Sequence, residues 1–356
     1  MKVDSPTTQT AAPQARHAQG NAMMTVGTRG SALALWQTNW VVARLRSRVP
    51  GVAFQIETLT TKGDRTQDSQ VPLTQLGDKS MFVAELERAL LAGDLDVAVH
   101  AMHDRALVSA EREVATERPI DAAVHSLKDL PGTLDARLTL AAVPAREDPR
   151  DALVSRSGLT LDALPQGAVV ATSSLRRRAQ LLHLRPDLQI VDIRGNVDTR
   201  LRKALAPDGP DAIVLAAAGL RRLGLDGHIT ELLPVERLVP AVGQGALAVE
   251  TRASDTHTRK LLRQIDDPAT RQAVTAERAV LAALGGGCQV PLGAHAQITA
   301  DGVSLHLIAV VASLDGQRLV RVEREGPLRR SAALGRSVAR ELLRQGGADI
   351  LREILV

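Results

Sequence analysis

One stretch of the chain shows its architecture most directly, the run Ala168-Val-Val-Ala-Thr-Ser-Ser-Leu-Arg-Arg-Arg178. Its apolar beginning predicts a buried strand at Ala168–Ala171, and the hydroxyl side chains that follow predict the start of a helix. A similar change is predicted earlier, from a strand at Met24–Thr28 to a helix at Ser31–Leu45. Repeated alternation of strand and helix predicts α/β domains with mainly parallel sheets.

The last third of the chain has a different pattern. A helix is predicted at Thr275–Leu284, strands at Val303–Ala312 and Arg318–Arg324, and a long helix at Ser331–Gln345. This change predicts a separate α+β domain. The division that we expect is a disordered tail at 1–22, a first domain at 23–147 and 245–263, a second at 148–240, and a third at 267–356.

The composition favours a globular protein with an aliphatic core, because 44% of the residues are hydrophobic but only 1% are aromatic. Proteins that stack nucleic-acid bases on aromatic side chains are poorly served by such a composition. The formal net charge of +4 fits an anionic ligand without requiring nucleic acid. No apolar run approaches the roughly 18 residues of a membrane-spanning helix. We therefore expect a cytoplasmic protein without a membrane partner.

A short unit of the chain occurs twice in tandem. Residues 82–104 align with residues 107–129 at a shift of 25. The best-matched parts are Asp96-Val-Ala-Val-His-Ala-Met-His-Asp104 and Asp121-Ala-Ala-Val-His-Ser-Leu-Lys-Asp129. Two copies are too few for a solenoid, which needs roughly three repeats or more. We expect one copy to lie in a sheet and the other to be additional structure.

Two basic stretches follow predicted strands, Thr172-Ser-Ser-Leu-Arg-Arg-Arg178 and Arg194-Gly-Asn-Val-Asp-Thr-Arg200. The start of a helix attracts anions, and arginine binds carboxylates through two parallel hydrogen bonds. Strand ends of open α/β sheets are also where ligands bind. The two stretches together predict an anion site, although each one alone also fits a capped helix with a solvated basic face.

Two more stretches place polar residues at predicted strand ends. In Thr28-Arg-Gly-Ser31, the serine is a candidate helix N-cap. In His125-Ser-Leu-Lys-Asp-Leu-Pro131, the Lys–Asp pair fits a surface ion pair or an acid/base pair whose carboxylate stabilises a cation in a cleft. The residues alone leave both alternatives open.

The only cysteine, Cys288, follows three glycines in Gly285-Gly-Gly-Cys-Gln-Val-Pro291, so no intrachain disulfide can form. A lone cysteine is commonly a small buried hydrophobic side chain. Three glycines after a helix instead favour a mobile loop, or one that another group approaches closely. Such a loop suits an attachment site.

Together, in this order, these five stretches resemble those of the hydroxymethylbilane synthases, also called porphobilinogen deaminases. The resemblance extends to Gly77-Asp-Lys-Ser-Met-Phe82, Arg146-Glu-Asp-Pro-Arg-Asp151, Ala218-Gly-Leu-Arg-Arg-Leu223, Pro240-Ala-Val-Gly-Gln-Gly245 and Thr275-Ala-Glu-Arg278. It covers roughly residues 24–356 apart from the repeated unit. It implies two lobes with mixed sheets, similar to type II periplasmic binding proteins, and a smaller C-terminal α+β domain that carries the cysteine.

The resemblance also implies an activity in porphyrin biosynthesis. Members of the family are transferases that join four porphobilinogen molecules head to tail with loss of ammonia. The growing chain is held on a dipyrromethane cofactor, which a thioether links to the cysteine, here Cys288. The family leads us to expect a monomer that acts on porphobilinogen and has neither a metal site nor a nucleic-acid partner.

The resemblance assigns roles to individual residues. Asp129 matches the catalytic aspartate, which stabilises the cationic methylene-pyrrolenine left when ammonia departs. The cofactor-binding positions are Ser126, Lys128, Thr172, Ser174, Arg176, Arg177, Arg194, Gly195, Asn196 and Cys288. The substrate-binding positions are Arg29, Ser31, Ser173, Arg194, Arg200 and Gln244. Lys79 and Phe82 match a loop over the cleft. Arginine suits these roles because each porphobilinogen carries an acetate and a propionate.

The repeated unit departs from the family pattern and gives the catalytic position two candidates, Asp104 and Asp129. We favour Asp129 because Ser126 and Lys128 precede it and Leu130 and Pro131 follow, as in the family. If the second copy replaces the first in the sheet, the roles of Lys79 and Phe82 come into doubt. The alternative function is that of a degenerate, slow or non-catalytic anion-binding relative.

Overall fold

The computed structural model describes residues 22–59, 121–285 and 290–355. These residues form two five-stranded sheets and one three-stranded sheet. The fold is α/β, with two sheet lobes and a smaller C-terminal α+β domain. The first strand begins at Ala22, the last residue of the predicted tail, and residues 1–21 lie outside the described residues.

The strands are β1 (Ala22–Arg29), β2 (Val52–Leu59), β3 (Ala122–Ser126), β4 (Leu138–Ala142), β5 (Asp151–Ser155), β6 (Val169–Ala171), β7 (Gln189–Val191), β8 (Ala212–Ala216), β9 (Glu231–Leu233), β10 (Leu247–Arg252), β11 (Leu292–Ile298), β12 (Ser304–Ala312) and β13 (Leu319–Pro327). The helices are α1 (Ala32–Arg48), α2 (Leu175–Leu184), α3 (Val197–Ala204), α4 (Ala217–Arg222), α5 (Thr256–Leu262), α6 (Pro268–Leu284), α7 (Ser331–Leu342) and α8 (Ala348–Leu355). The strands predicted at Val303–Ala312 and Arg318–Arg324 correspond to β12 and β13, whereas β11 had no counterpart among the predicted strands.

The two large sheets are mixed, as the family resemblance implies, whereas the mainly parallel sheets expected from the alternation of strands and helices were wrong. The first has the order β2-β1-β3-β10-β4 and the second the order β7-β6-β8-β5-β9. In the first, β1 runs parallel to its neighbours and β10 antiparallel to both of its own. In the second, β6 runs parallel to both of its neighbours, and β5 runs antiparallel to both of its own. The antiparallel strands β5 and β10 are those that the chain enters directly after crossing from the other sheet.

The chain crosses between the two sheets twice, at residues 143–150 and 234–246, and these are called the crossover segments below. The two segments lie side by side and are joined by hydrogen bonds. The amide of Glu147 donates to the carbonyl oxygen of Gly245 at 3.1 Å. The Arg146 Nε donates to the carbonyl oxygen of Gln244 at 2.7 Å. The cleft between the sheets is therefore bordered by a hydrogen-bonded pair of segments.

The strand of the second copy of the repeated unit lies in the first sheet. Strand β3 is parallel to β1, with Ala122 opposite Val26, and antiparallel to β10. Asp121, just before it, accepts a hydrogen bond from the Thr25 amide at 2.9 Å. The first copy, with Asp104, lies outside the described residues.

Each sheet buries an apolar face. On the first, α1 contributes Val41, Val42 and Leu45, all of which are buried. On the third, of order β11-β12-β13, α6 and α7 cover an aliphatic core. Helix α6 begins earlier than predicted because the Asp267 side chain caps it and Pro268 suits its first turn. Among the described residues, none of the helices combines the length and the apolar character needed to span a membrane.

Glu277 on α6 joins the third sheet to both crossover segments. Its carboxylate is fully buried and accepts from Arg146 Nη1 at 2.6 Å and from the Gly243 amide at 2.7 Å. It also accepts from the amide of Ala296 on β11 at 2.8 Å. A buried carboxylate must be paired and hydrogen-bonded in this way. One side chain therefore fixes the C-terminal domain against the two segments that connect the lobes.

Neutralising Glu277 should destabilise the protein strongly. We expect Glu277→Gln to lower the free energy of unfolding by about 3–5 kcal/mol, because it leaves the Arg146 guanidinium without its counter-charge. Urea unfolding followed by circular dichroism would measure this. The matched control is Glu341→Gln on α7, whose pair with Arg344 is exposed to solvent and should contribute little to stability. Equal losses in the two variants would contradict the role of Glu277.

Candidate active site

A pocket lies between the first and second sheets, where polar residues from both meet. Ser126 and Lys128 line it from the end of β3, and Leu33 from α1. From the helices of the second lobe it is lined by three arginines, Arg177 on α2, Arg200 on α3 and Arg222 on α4. The described wall therefore contains four cationic side chains, which suits an anionic ligand.

A single 3₁₀ turn, Leu127–Asp129, follows β3 and carries two of the residues predicted for the site. The Leu127 amide donates to the carbonyl oxygen of Ala246 at 3.0 Å, which fixes the turn against the second crossover segment. Beside it, the buried Gln37 on α1 donates through Nε2 to the Ser126 hydroxyl at 2.8 Å. The turn thus holds Lys128 in the pocket wall with Asp129 next to it.

Burial lowers the pKa of Lys128 to about 8. The negative charge of Asp129 opposes this shift, whereas the positive charges of Arg177 and Arg200 add to it. Asp129 also favours the charged form of Arg200, so its carboxylate acts on cations from both sides of the cleft. Asp129 is therefore placed to stabilise a positive charge that develops in the pocket.

Arg176 and Arg177, at the start of α2, share one buried carboxylate. Asp151 on β5 accepts from Arg176 Nη1 at 2.7 Å and from Arg177 Nη2 at 2.7 Å. The two guanidinium groups hold the pKa of this buried carboxyl far below its usual range, although burial alone would raise it. Arg177 also donates to the carbonyl oxygen of Val214 at 3.0 Å. The Asp151 carboxylate and the Val214 carbonyl oxygen thus fix Arg177 in the pocket wall.

Arg200 on α3 lies opposite Lys128. Its Nε atom is buried and has no hydrogen-bond partner among the described residues. Burial lowers its pKa to about 10, so the group remains charged at neutral pH. The turn before α3 requires a glycine at Gly195, because φ there is 113° and a Cβ would lie 2.8 Å from Thr199 Cγ2. A guanidinium whose buried Nε has no hydrogen-bond partner among the described residues favours an incoming anion.

Arg222 was not singled out as a site residue from the sequence, although it lines the pocket. It is 8% exposed and donates through Nη2 to the carbonyl oxygen of Gly245 at 2.7 Å. Its guanidinium carbon lies 5.9 Å from the centre of the Trp36 ring, and burial lowers its pKa to about 10. The adjacent Arg221 instead pairs with Glu147 and Asp148. The available signal was the position of this Arg-Arg pair on the helix that follows β8, at a strand end.

Three residues predicted for the site contact other parts of the protein rather than the pocket wall. Arg176 donates to Asp151 and to the carbonyl oxygen of Val239. The Ser173 hydroxyl donates to the carbonyl oxygen of Ile193 at 2.8 Å, which uses its only hydrogen. The buried Gln244 amide donates to Asp151 and to the carbonyl oxygen of Pro149. Their roles toward a ligand stay predictions.

The other predicted positions lie at strand ends and helix starts. Ser31 and Ser174 accept hydrogen bonds from backbone amides as N-caps of α1 and α2. Thr172 accepts from the Ser174 amide at 3.2 Å, and Arg29 ends β1. Arg194 and Asn196 precede α3. The residues Lys79, Phe82, Asp104 and Cys288 lie outside the described residues.

The fold and the site together define an α/β protein with two lobes and a cationic cleft suited to an anionic ligand. Comparison with known proteins narrows this class. The sequence model described as "Porphobilinogen deaminase, dipyromethane cofactor binding domain" matches residues 24–114 and 108–260. The model of the porphobilinogen deaminase C-terminal domain matches residues 271–344. The two matched ranges overlap at residues 108–114, near the start of the second copy of the repeated unit, and the first range includes the whole first copy.

Whole-chain relatives agree with this result. A porphobilinogen deaminase from Roseiflexus castenholzii is 50% identical over 328 residues, which cover 92% of this chain and 98% of the relative. One from Brevibacillus brevis is 48% identical over 332 residues, which cover 93% and 97%. The solved structure of the methionine binding protein MetQ is 14% identical, covers 73% of this chain and 93% of its own, and has a TM-score of 0.39. That likeness is too distant to bear on the function.

The chain belongs to the porphobilinogen deaminase family. The activity is that of a transferase, hydroxymethylbilane synthase, which acts on porphobilinogen in porphyrin biosynthesis, and the cofactor is dipyrromethane. The described residues fit that cofactor. A dipyrromethane with carboxylate side chains needs cations, and the pocket offers Lys128, Arg177, Arg200 and Arg222, with the Arg200 Nε unpaired among the described residues. When bound, the cofactor supplies the pyrrole position from which the chain is extended.

Lys128 should make the binding of anions depend on pH. With its pKa near 8 in the free protein, Lys128 is protonated at pH 7 and mostly neutral at pH 9, whereas a bound carboxylate raises its pKa. The affinity for a pyrrole that carries acetate and propionate but no aminomethyl group should therefore fall about tenfold from pH 7 to pH 9. Isothermal titration calorimetry would measure it.

The matched control for this experiment is Lys203→Met, which removes an exposed lysine from α3 and should keep the pH dependence. Lys128→Met should bind more weakly at pH 7 and lose the fall in affinity above pH 8. The interpretation would be wrong if Lys128→Met kept the same dependence as the unchanged protein.

Proposed function

We propose that Asp129 is the catalytic carboxylate with which this hydroxymethylbilane synthase condenses porphobilinogen. We further propose that the cationic cleft holds the acetate and propionate groups of substrate and cofactor. The observation that carries this proposal is the joint placement of Lys128, Arg177, Arg200 and Arg222 around one pocket, next to Asp129. A cleft with more cations than carboxylates suits a ligand that adds two negative charges with each pyrrole.

The proposed roles follow from the positions of the side chains. Arg177 on α2 and Arg200 on α3 bind the ligand's carboxylates from the second lobe. Lys128 binds them from the first lobe, from the turn after β3. Ser126, whose hydroxyl oxygen already accepts from Gln37, keeps its hydrogen to donate to a ligand. Asp129 accepts the pyrrole N–H of porphobilinogen and stabilises the positive charge that spreads over this ring as ammonia leaves. Closure of the two lobes around the pocket excludes water from that charge.

The remaining parts of the proposal rest on the sequence and the family. Cys288 anchors the cofactor through a thioether, and Arg29, Ser31, Arg194 and Asn196 add contacts from the strand ends. The low aromatic content and modest net charge support a protein without a nucleic-acid partner. We also propose a monomer that acts in the cytoplasm without a membrane partner. The alternative is a degenerate, non-catalytic relative. The following experiments would reveal it by an absence of cofactor loading or of turnover.

The attachment of the cofactor can be tested by mass. After incubation with porphobilinogen, the denatured protein should exceed the mass of the bare chain by one dipyrromethane. Because Cys288 is the only cysteine, the loaded protein should then contain no thiol that reacts with a thiol reagent. Cys288→Ala should keep the bare mass under the same conditions. A loaded mass in Cys288→Ala would place the attachment elsewhere, and an unloaded wild-type chain would favour the degenerate relative.

The two candidate aspartates can be separated by turnover. Asp129→Asn should reduce kcat by roughly 10²–10⁴-fold, the usual contribution of a positioned acid or base. Asp104→Asn, in the first copy, should remain within about twofold of the unchanged protein, as is usual for a residue outside the site. Single-turnover release of ammonia would measure both. Loss of turnover in the Asp104 variant alone would reverse the assignment.

A deletion provides a companion to these variants. Removing residues 101–125 joins His100 directly to Ser126 and leaves a single helix–strand unit that still contains Asp129. We expect this shortened chain to fold and to retain turnover, because the sequence Asp96–His100 closely matches that of Asp121–His125. A shortened chain that folds but neither loads nor turns over would show that the second strand is required.

A further inference from the structure

The segment that follows Asp129 rests on helix α6 of the C-terminal domain. Arg278 on this helix donates through Nη2 to the carbonyl oxygen of Pro131 at 2.8 Å and to that of Gly132 at 3.2 Å. These carbonyl groups lie two and three residues after Asp129. A helix in one domain therefore holds the end of a turn that belongs to another.

Close packing reinforces these hydrogen bonds. A Cβ atom at Gly132 would lie 3.3 Å from Leu281 Cγ and 3.5 Å from Ala282 Cα, so the backbone of the segment lies directly against α6. Leu130, just before it, is 2% exposed and belongs to the core between the turn and the helix. The segment is thus fixed by one guanidinium and by van der Waals contact over about one turn of the helix.

The turn itself offers little to hold Asp129 in place. Among the described residues, its backbone makes one local hydrogen bond besides the one to Ala246, from the Leu130 amide to the carbonyl oxygen of Leu127 at 3.1 Å. A short 3₁₀ turn of this kind has poorer hydrogen-bond geometry than an α-helix. The end of the turn therefore depends on contacts from outside it.

The charge of Arg278 is balanced from the first sheet. Burial lowers its pKa, and the negative charge of Glu250 on β10 opposes that shift. Glu250 is fully buried, and its Oε2 lies 3.3 Å from Nε2 of His125, the residue before Ser126. Glu250 thus acts on both the helix and the strand that leads to Asp129.

We propose that Arg278 is a positioning residue for the reaction, which acts by holding the Leu127–Asp129 turn in its catalytic orientation. Helix α6 ends at Leu284, four residues before Cys288, so the element that fixes the turn also leads to the proposed attachment point. Helix α6 then sets the position of Asp129 relative to the cofactor. This inference rests on the proposed catalytic role of Asp129, but the contacts themselves do not.

The experiment compares Arg278→Gln with the unchanged chain. We expect faster hydrogen–deuterium exchange at the amides of residues 127–133, because the two hydrogen bonds to Pro131 and Gly132 are lost. We also expect kcat to fall by roughly tenfold, as a misplaced catalytic group would cause, with the KM for porphobilinogen changed less than about twofold. Arg278→Lys, which can still donate to Pro131, should recover part of both.

A matched control lies on the same helix. Arg271 donates to the carbonyl oxygens of Leu140 at 3.3 Å and Ala141 at 3.1 Å, and it pairs with Asp266. Arg271→Gln therefore removes the same kind of contact from the same helix but leaves the turn untouched. It should lower thermal stability at least as much as Arg278→Gln, while exchange at residues 127–133 and kcat stay unchanged.

The outcomes separate the inference from the function on which it rests. Unchanged exchange at residues 127–133 in Arg278→Gln would overturn the positioning role, as would an equal increase in Arg271→Gln. Faster exchange with unchanged kcat would also overturn it, provided that Asp129→Asn abolishes turnover. If Asp129→Asn retains turnover, the proposed catalytic residue fails, whereas the exchange comparison still decides whether Arg278 holds the turn.

Discussion

The buried carboxylate of Glu277 is the point at which the three sheets of the described structure depend on one another. It binds Arg146 of the first crossover segment, the Gly243 amide of the second and the Ala296 amide of the third sheet. Because an unpaired charge in this position would be very unfavourable, the three elements must be assembled together. The adjacent Arg278 extends the same helix to the Asp129 turn. Two neighbouring residues thus link the C-terminal domain to the crossover segments and to the proposed catalytic residue.

The cleft presents a second constraint, because it concentrates positive charge. The Asp151 carboxylate neutralises part of the charge of Arg176 and Arg177. Arg177 therefore remains in the pocket wall with part of its charge balanced inside the protein. Lys128, Arg200 and Arg222 are the other three cations of the described pocket wall, and burial lowers the pKa of each. A site of this kind is unfavourable for the free protein and favourable for an anionic ligand. Folding and ligand binding therefore oppose each other at these side chains.

The repeated unit shows how sequence similarity can leave a structural choice open. Both copies carry the same strand pattern, yet the described strand in the first sheet is Ala122–Ser126 of the second copy. That strand runs directly into Leu127–Asp129, so the turn and its contacts with Ala246 and Arg278 follow without an intervening loop. The family model matches both copies, in two ranges that overlap at residues 108–114. The position of β3 thus places the turn that carries Asp129, the proposed catalytic residue, beside the pocket.

The sequence by itself determined the family, the alternation of strands and helices, and the basic stretches at strand ends. These features are local: apolar periodicity and helix capping depend on residues close together in the chain. The alternation of strands and helices did not determine that the sheets are mixed, which only the family resemblance implied, since the direction of β5 and β10 follows from where the crossover segments lead. Nor did it distinguish Arg222 from Arg221, or show that Arg176 and Gln244 bind Asp151. Neighbouring residues on a helix point about 100° apart, so only the packing of distant segments decides which one faces the cleft.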